Sequence, residues 1–282
     1  MKEEHDNWDS VIESKHSLLD INLKEIWQYR DLLVLFVKRD FVTVYKQTIL
    51  GPLWFFIQPL LTTITFTIIF GNIAQISTDG SPKLVFYMAG ITLWSYFSSC
   101  LSNVSATFNS NAGIFSKVYF PRLIMPITTV VSNLMKFGVQ FLLFVGFVIY
   151  FALKEQIQPN YYIAFTPFVI LLMALISMGL GLVLSTMTTK YKDLTQLISF
   201  GVNLLMYATP VIYPSSSVPV KYAALVNLNP LVSLFDYMRF AYLGVGEFQL
   251  SSFLYPSVFA VAVLVIGIIL FNKTQKTFMD TV

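Results

Sequence analysis

Lys136 is the ionisable residue deepest within an apolar run of this 282-residue chain, and the residues around it are polar at helical spacing. Thr129, Ser132 or Asn133, and Gln140 fall on its stripe. A charge at the centre of a bilayer costs several kcal/mol, so the stripe either faces protein or water, or Lys136 snorkels to an interface. A second grouping runs from Asn111 to Arg122, where Lys117 and Arg122 flank Tyr119 and Phe120, and Pro121 and Pro126 set the bends. It fits a loop that orients its neighbours in a membrane and equally a short docking helix. A third, Lys190-Tyr191-Lys192-Asp193-Leu194-Thr195-Gln196, reverses charge within a few residues, as a solvated turn or a second docking point would.

Aromatic residues make up 16% of the chain. Tyr87, Trp94 and Leu101 share one helical face, with Gly90 and Ser98 alongside, and Asn203 and Tyr207 share another. Rings beside amides and hydroxyls suit sugars, whose C–H faces stack while their hydroxyls seek hydrogen bonds. Helix packing uses the same residue types. Asp236 and Arg239, three apart, predict an ion pair along a helix.

Other chemistry is missing. His5 and His16 both precede the first apolar run, so no catalytic or metal site forms around a membrane histidine. Cys100 is the single cysteine and excludes an internal disulfide or a cysteine metal centre. No carboxylate lies in any apolar span, which disfavours a proton-coupled carrier. No Gly-x-x-x-x-Gly-Lys-Ser/Thr loop occurs to cradle a nucleotide. The net charge of +3, without a basic and aromatic cluster, gives no reason to expect nucleic acid.

The elements that position these residues are apolar helices. Hydrophobic residues reach 56%, charged residues only 12%, and the mean hydropathy is +0.68, against roughly 25% charge in soluble domains. Six runs approach the ~20 residues needed to cross a bilayer: about 51–73, 85–108, 125–152, 162–188, 196–213 and 253–272. Seven Lys/Arg precede the first. With Lys117, Arg122, Lys190, Lys192, Lys273 and Lys276 they place thirteen of eighteen on one side, against Lys83, Lys154, Lys221 and Arg239 on the other. By the positive-inside bias both ends are expected in the cytoplasm. The start Met1-Lys2-Glu3-Glu4-His5-Asp6 is too acidic for a cleavable signal peptide.

Residues 1–21 read as a polar cytoplasmic N-terminus, and 22–282 as a single membrane domain. Its first part, 22–48, reads as an amphipathic interface helix opened by Asn22 and Glu25 in a capping-box pattern. Leu23, Ile26, Trp27, Leu33, Val34, Val37, Phe41 and Tyr45 lie near one face. Leu32, Leu35 and Phe36 break that pattern, which also fits two shorter helices. Between the fifth and sixth spans, 214–252 is too apolar for a solvated linker and reads as short re-entrant helices. The expected fold is an all-α integral membrane protein with six spans.

Several short motifs now align in order: Arg39-Asp40, Tyr45-Lys46-Gln47, Leu50-Gly51-Pro52-Leu53-Trp54, Gln58-Pro59, Lys117-Val118-Tyr119-Phe120-Pro121-Arg122, Pro210-Val211-Ile212-Tyr213-Pro214 and Asn229-Pro230-Leu231. Together they resemble the permease subunit of type-2 ABC exporters for cell-surface polysaccharides. The resemblance implies a homodimer in the bacterial inner membrane that works with two ABC ATP-binding subunits and moves a lipid-linked polymer such as O-antigen. It implies no cofactor on this chain, with ATP and Mg2+ on the partner. It assigns ATPase coupling to Glu25, Arg30, Arg39, Lys117, Tyr119, Arg122, Lys192 and Asp193. A glycan conduit would use Tyr87, Trp94, Lys136, Gln140, Asn203 and Tyr207. Permeases for teichoic acid, drugs or haem share the pattern, while a membrane glycosyl- or acyltransferase or a passive channel fits less well.

Overall fold

Two short helices open the structure, a computed structural model that describes residues 23–46, 50–115, 117–191 and 193–278. Helix α1 (Leu23–Gln28) and α2 (Arg30–Tyr45) meet at Tyr29, whose backbone (φ −89°, ψ 18°) leaves the helical path. The break restarts the helical phase. Phe36 and Val37 are buried, and Ile26, Tyr29, Leu32 and Leu33 pack beside them, while Trp27, Val34 and Leu35 face outward. The inward face is thus one position away from the expected one, and Leu32 and Phe36 belong to it. Residues 1–22 and 47–49, including Gln47 of the Tyr45-Lys46-Gln47 motif, lie outside the described residues.

Among the described residues, five helices are long and apolar enough to cross a membrane: Trp54–Ile73, Lys83–Ser105, Ile124–Leu153, Tyr161–Lys190 and Leu250–Gln275. The first begins as α3 (Trp54–Phe66), with Pro59 inside it, and widens into a π turn through Ile73. Next come α4 (Lys83–Ser105), the short α5 (Thr107–Phe115) and α6 (Ile124–Leu153). Helix α7 (Thr166–Lys190) continues from a 3-10 turn, and α11 (Leu254–Phe278) is the last described helix. Between them lie α8 (Leu194–Ala208), α9 (Val220–Asn227) and α10 (Val232–Leu243). Every described element is helical.

The fifth predicted run, 196–213, is helical only to Ala208. Its helix has 15 residues, about 22 Å at 1.5 Å per residue. Proline cannot donate to the helix and clashes with a helical residue before it. Thr209, preceding Pro210, is accordingly extended (φ −100°, ψ 143°).

Helix α4 is the centre of the bundle. Of its most apolar window 78% is buried, against 22% for α3 and 17% for α6. Helices α3, α6, α7, α8 and α10 all pack on it. Close approach depends on small residues, as in membrane bundles generally. A Cβ at Gly181 would lie 2.7 Å from Val104, and one at Gly179 would lie 2.7 Å from the Leu264 nitrogen of α11. Helices α7 and α11 run parallel: Phe168 near the start of α7 meets Phe253, and Phe271 stacks on Phe108 at the end where α2 and α5 lie.

This packing predicts a contrast between two glycines. Gly179→Ala pushes a methyl into backbone that cannot yield cheaply, a cost of about 1–3 kcal/mol. Gly146→Ala meets open space and should be neutral or slightly stabilising. Thermal unfolding of the two variants in detergent checks this, with a clear drop in midpoint expected only for Gly179→Ala.

Candidate functional site

At the α2 end, the loop after α5 presents Lys117, Val118 and Tyr119 to solvent and turns the next residues inward. Phe120 is buried 5.9 Å from the Phe36 ring of α2 and 5.8 Å from Phe115 of α5. Arg122 is also buried; its Nη1 donates to the Gln275 carbonyl at 3.2 Å, and its guanidinium lies 5.3 Å from the Phe115 ring. Burial pushes its pKa below the usual arginine value. Arg122 therefore anchors the loop to the end of α11, where carbonyls lack helical partners, and does not offer its charge to a partner as the sequence led us to expect.

Helix α1 lies against the same loop. Partial burial, then the Glu25 carboxylate and the Tyr29 phenol, raise the Tyr119 phenol above its ordinary pKa. Arg30 is exposed, 3.9 Å from Asp31 and over the Trp27 ring. Asp193 is exposed at the start of α8, and Lys192 lies outside the described residues. Two bonds tie this end together in a way no motif announced. Asn109 Nδ2 donates to the Thr188 carbonyl at 3.1 Å, and Thr188 Oγ1 donates to the Ser105 carbonyl at 2.7 Å. They link α5, the end of α7 and the end of α4.

Arg39 turns aside from the exposed patch. Its Nε and Nη2 donate to Asp40 Oδ1 at 3.0 and 2.8 Å, and its guanidinium covers the Phe36 ring at 4.8 Å. Ser132 Oγ donates to Asp40 Oδ2 at 3.3 Å, and Lys136 Nζ donates to Asn133 Oδ1 at 3.4 Å. These groups line a cavity of about 550 Å³ between α2, α5, α6 and the end of α4. The polar stripe of α6 thus faces a protein-lined space, with the Asp40 charge acting on Lys136. Gln140, one turn further along, has its Oε1 buried without a hydrogen-bond partner.

The six residues grouped as a conduit do not form one surface. Tyr87 and Trp94 are core residues of α4, packed on Phe66 and Phe86 and on Phe97. The reason is the position of α4, which has neighbours on all sides. Lys136 and Gln140 line the interior of α6, whereas Asn203 and Tyr207 stand exposed on α8.

At the opposite end, Arg239 of α10 is buried but makes no ion pair with Asp236. It donates through Nη1 to the Tyr213 carbonyl at 3.0 Å and through Nη2 to the carbonyls of Pro210 and Val211. Its guanidinium lies 4.1 Å from the Phe86 ring of α4. Asp236 instead accepts from Ser215 Oγ at 2.6 Å, and Asn229 Nδ2 donates to Thr209 Oγ1 at 2.8 Å. The carbonyls left over where α8 ends outbid the carboxylate one turn away. The sequence did carry a signal, an arginine in an apolar loop downstream of a Pro-framed turn, but no indication that the two meet.

An apolar helical bundle with one exposed basic and aromatic end defines a polytopic membrane protein. The family model for the ABC-2 type transporter matches residues 31–243, and the chain belongs to that family. It is 28% identical over 252 residues to the O-antigen export system permease protein RfbA of Klebsiella pneumoniae, covering 89% of this chain and 94% of that one. An RfbA of Myxococcus xanthus is 27% identical over 214 residues, 75% of this chain and 80% of that one. The polysialic acid transport protein KpsM of Escherichia coli is 23% identical over 248 residues, 86% and 93% of the two chains.

The Arg239 clamp yields a prediction. Arg239→Met removes the donors and strands three carbonyls, each buried unpaired group costing about 1–3 kcal/mol. Arg239→Lys, a point charge without the planar fork, should rescue only part. Trypsin resistance and thermal midpoint of the purified variants should fall in the order wild type, Arg239→Lys, Arg239→Met.

Proposed function

We propose that this chain is the transmembrane subunit of an exporter that carries a lipid-linked polysaccharide, such as an O-antigen, across the bacterial cytoplasmic membrane. Two separate ATP-binding subunits hold ATP and Mg2+ and supply the energy, and a second copy of the chain completes the path. The observation that carries the reading is the near end-to-end similarity to O-antigen and polysialic acid permeases.

The proposed topology has six crossings with the α2 end in the cytoplasm, where the Lys/Arg bias lies. Parallel α7 and α11 require the chain to return between them, and α8 is the only connecting element of suitable length. Its ~22 Å makes up most of a hydrocarbon core of about 30 Å, and the turns at 209–214 carry the chain on toward the outer face. Helix α10, buried against the Lys83 half of α4, then acts as a re-entrant helix from the outer face, with α9 beside it. Residues 22–282 form one membrane domain behind a polar segment 1–21.

Glu25, Arg30, Lys117, Tyr119, Lys192 and Asp193 are the proposed contacts for the ATP-binding subunit. A push there reaches α2 through Phe120 and Phe36, α11 through Arg122, and α7 through Asn109 and Thr188. Asn203 and Tyr207 on α8, with Lys136 and Gln140, remain the residues offered to the polymer path. Tyr87 and Trp94 support that path from within α4.

The test separates docking from folding. Arg30→Glu with Lys117→Glu should leave the amount of membrane-inserted protein unchanged. A single rim charge contributes about 0–1 kcal/mol, but facing like charges cost several kcal/mol, so the pair should cut ATPase co-purification and surface-polymer export at least roughly tenfold. Arg122→Glu should instead lower the amount of folded protein. Wild-type co-purification and export by the Arg30→Glu/Lys117→Glu variant would remove these residues from the interface.

A further inference from the structure

We infer that the cavity between α2, α5 and α6 is a binding site for a phosphate-bearing anion, held by Lys136 and Arg39. The charged groups lining it are Arg39, Asp40 and Lys136, two cations against one carboxylate. Asp40 is hydrogen-bonded to Arg39 and Ser132 and touches Lys136 only through its field, so the lining keeps an excess of one positive charge with no direct carboxylate partner for Lys136. The single hydrogen bond of Lys136, to the Asn133 amide oxygen, is long at 3.4 Å. Arg39 spends Nε and Nη2 on one oxygen of Asp40, and its Nη1 remains for a ligand. A cation in a span is costly, and a preorganised partner for it is worth correspondingly more.

A second observation points into the same space. Thr128 lines the cavity and is 1% exposed, and its Oγ1 has no hydrogen-bond partner. Buried hydroxyls are almost always paired, so this one is a donor waiting for an acceptor. A hydroxyl, an ammonium and a free guanidinium nitrogen around one space match the several oxygens of a phosphate or diphosphate. Among the described residues no aromatic ring lines the cavity, so these offer no face on which a sugar ring stacks. Its ~550 Å³ is in the range of small-ligand sites and holds a diphosphate with accompanying water.

Such an anion reaches the cavity either as a soluble phosphate or as the headgroup of a lipid. The site stands on its own chemistry. Only its use in handling a lipid-linked substrate rests on the exporter reading, and because binding is measured without ATP or export, either can fail alone.

The experiment uses the full chain in phosphatidylcholine nanodiscs. Inorganic pyrophosphate is titrated calorimetrically, and phosphatidic acid is introduced into parallel discs and followed by 31P NMR line width. Binding of pyrophosphate assigns a soluble anion, and binding of phosphatidic acid alone assigns a lipid headgroup; each supports the site. Lys136→Met should weaken the observed binding roughly tenfold or more, and Lys136→Arg should keep it. Asp40→Asn should tighten it, because the competing negative charge is gone, a gain that a purely structural role for Asp40 does not produce. If Lys136→Met fails to fold, the Asp40→Asn and Lys136→Arg arms decide alone. Failure of both probes to bind, undiminished binding by folded Lys136→Met, or weaker binding by folded Asp40→Asn overturns the proposal.

Discussion

A backbone carbonyl without a partner is unaffordable inside a bilayer, and this molecule has several to satisfy where α8 stops. Pro210 and Pro214 forbid continued helix, so the carbonyls around them lose their intrahelical donors. Arg239 answers with a planar fork of up to five N–H groups, reaching Pro210, Val211 and Tyr213 at once. Its own charge rests on the face of Phe86, a cation–π contact that gains strength when water is excluded. The arginine thus fastens the end of α8, helix α10 and the central helix α4 into one unit. Gly90 completes the arrangement, because a Cβ there would sit 2.6 Å from the Val211 carbonyl oxygen. Once that junction is set, α8 and the turn after it bring the chain back beside α4, and α11 can run parallel to α7.

The other end is organised by aromatic packing and surface charge together. Phe36, Phe115 and Phe120 form a continuous contact between α2, α5 and the basic loop. Tightly packed interiors shift as units and not by continuous deformation, so this contact moves α2 and the loop together. Lys117 and Arg122 show how five positions divide roles: one side chain stays in water, the other is spent on the last turn of α11. The cavity one layer deeper has no share in the outer patch. It is a separate polar level, closed on one side by α2 and on the other by α6.

Much of this fold was legible in the chain because composition and charge act over long windows. The apolar runs mark the five long helices, and the crowding of Lys and Arg into alternate loops separates the two ends. The ordered motifs indicated the family. What escaped the sequence depends on neighbours. Nothing in the spacing of Tyr87 and Trp94 says that α4 is surrounded, so their rings read equally as a sugar-lining face. Asp236 lies at ion-pair spacing from Arg239, but the competing acceptors are backbone carbonyls, which leave no mark in the residue types. The phase of α2 is not legible in the sequence because the break at Tyr29 carries neither glycine nor proline. For 196–213 the breaker was visible at Pro210, yet the uninterrupted apolar character beyond it outweighed it.

On the proposed topology, α8 and residues 209–214 together carry the chain across the membrane. Cysteine labelling of intact spheroplasts with an impermeant maleimide tests it most directly, using the buried Cys100 as a silent background. Single cysteines at Asp193 and Ser216 bracket the crossing, with Glu155 as an outer reference and Lys117 as an inner one. Six crossings should give labelling of Ser216 and Glu155 from outside, and of Asp193 and Lys117 only after the membrane is opened. Labelling of Asp193 and Ser216 from the same side would contradict it.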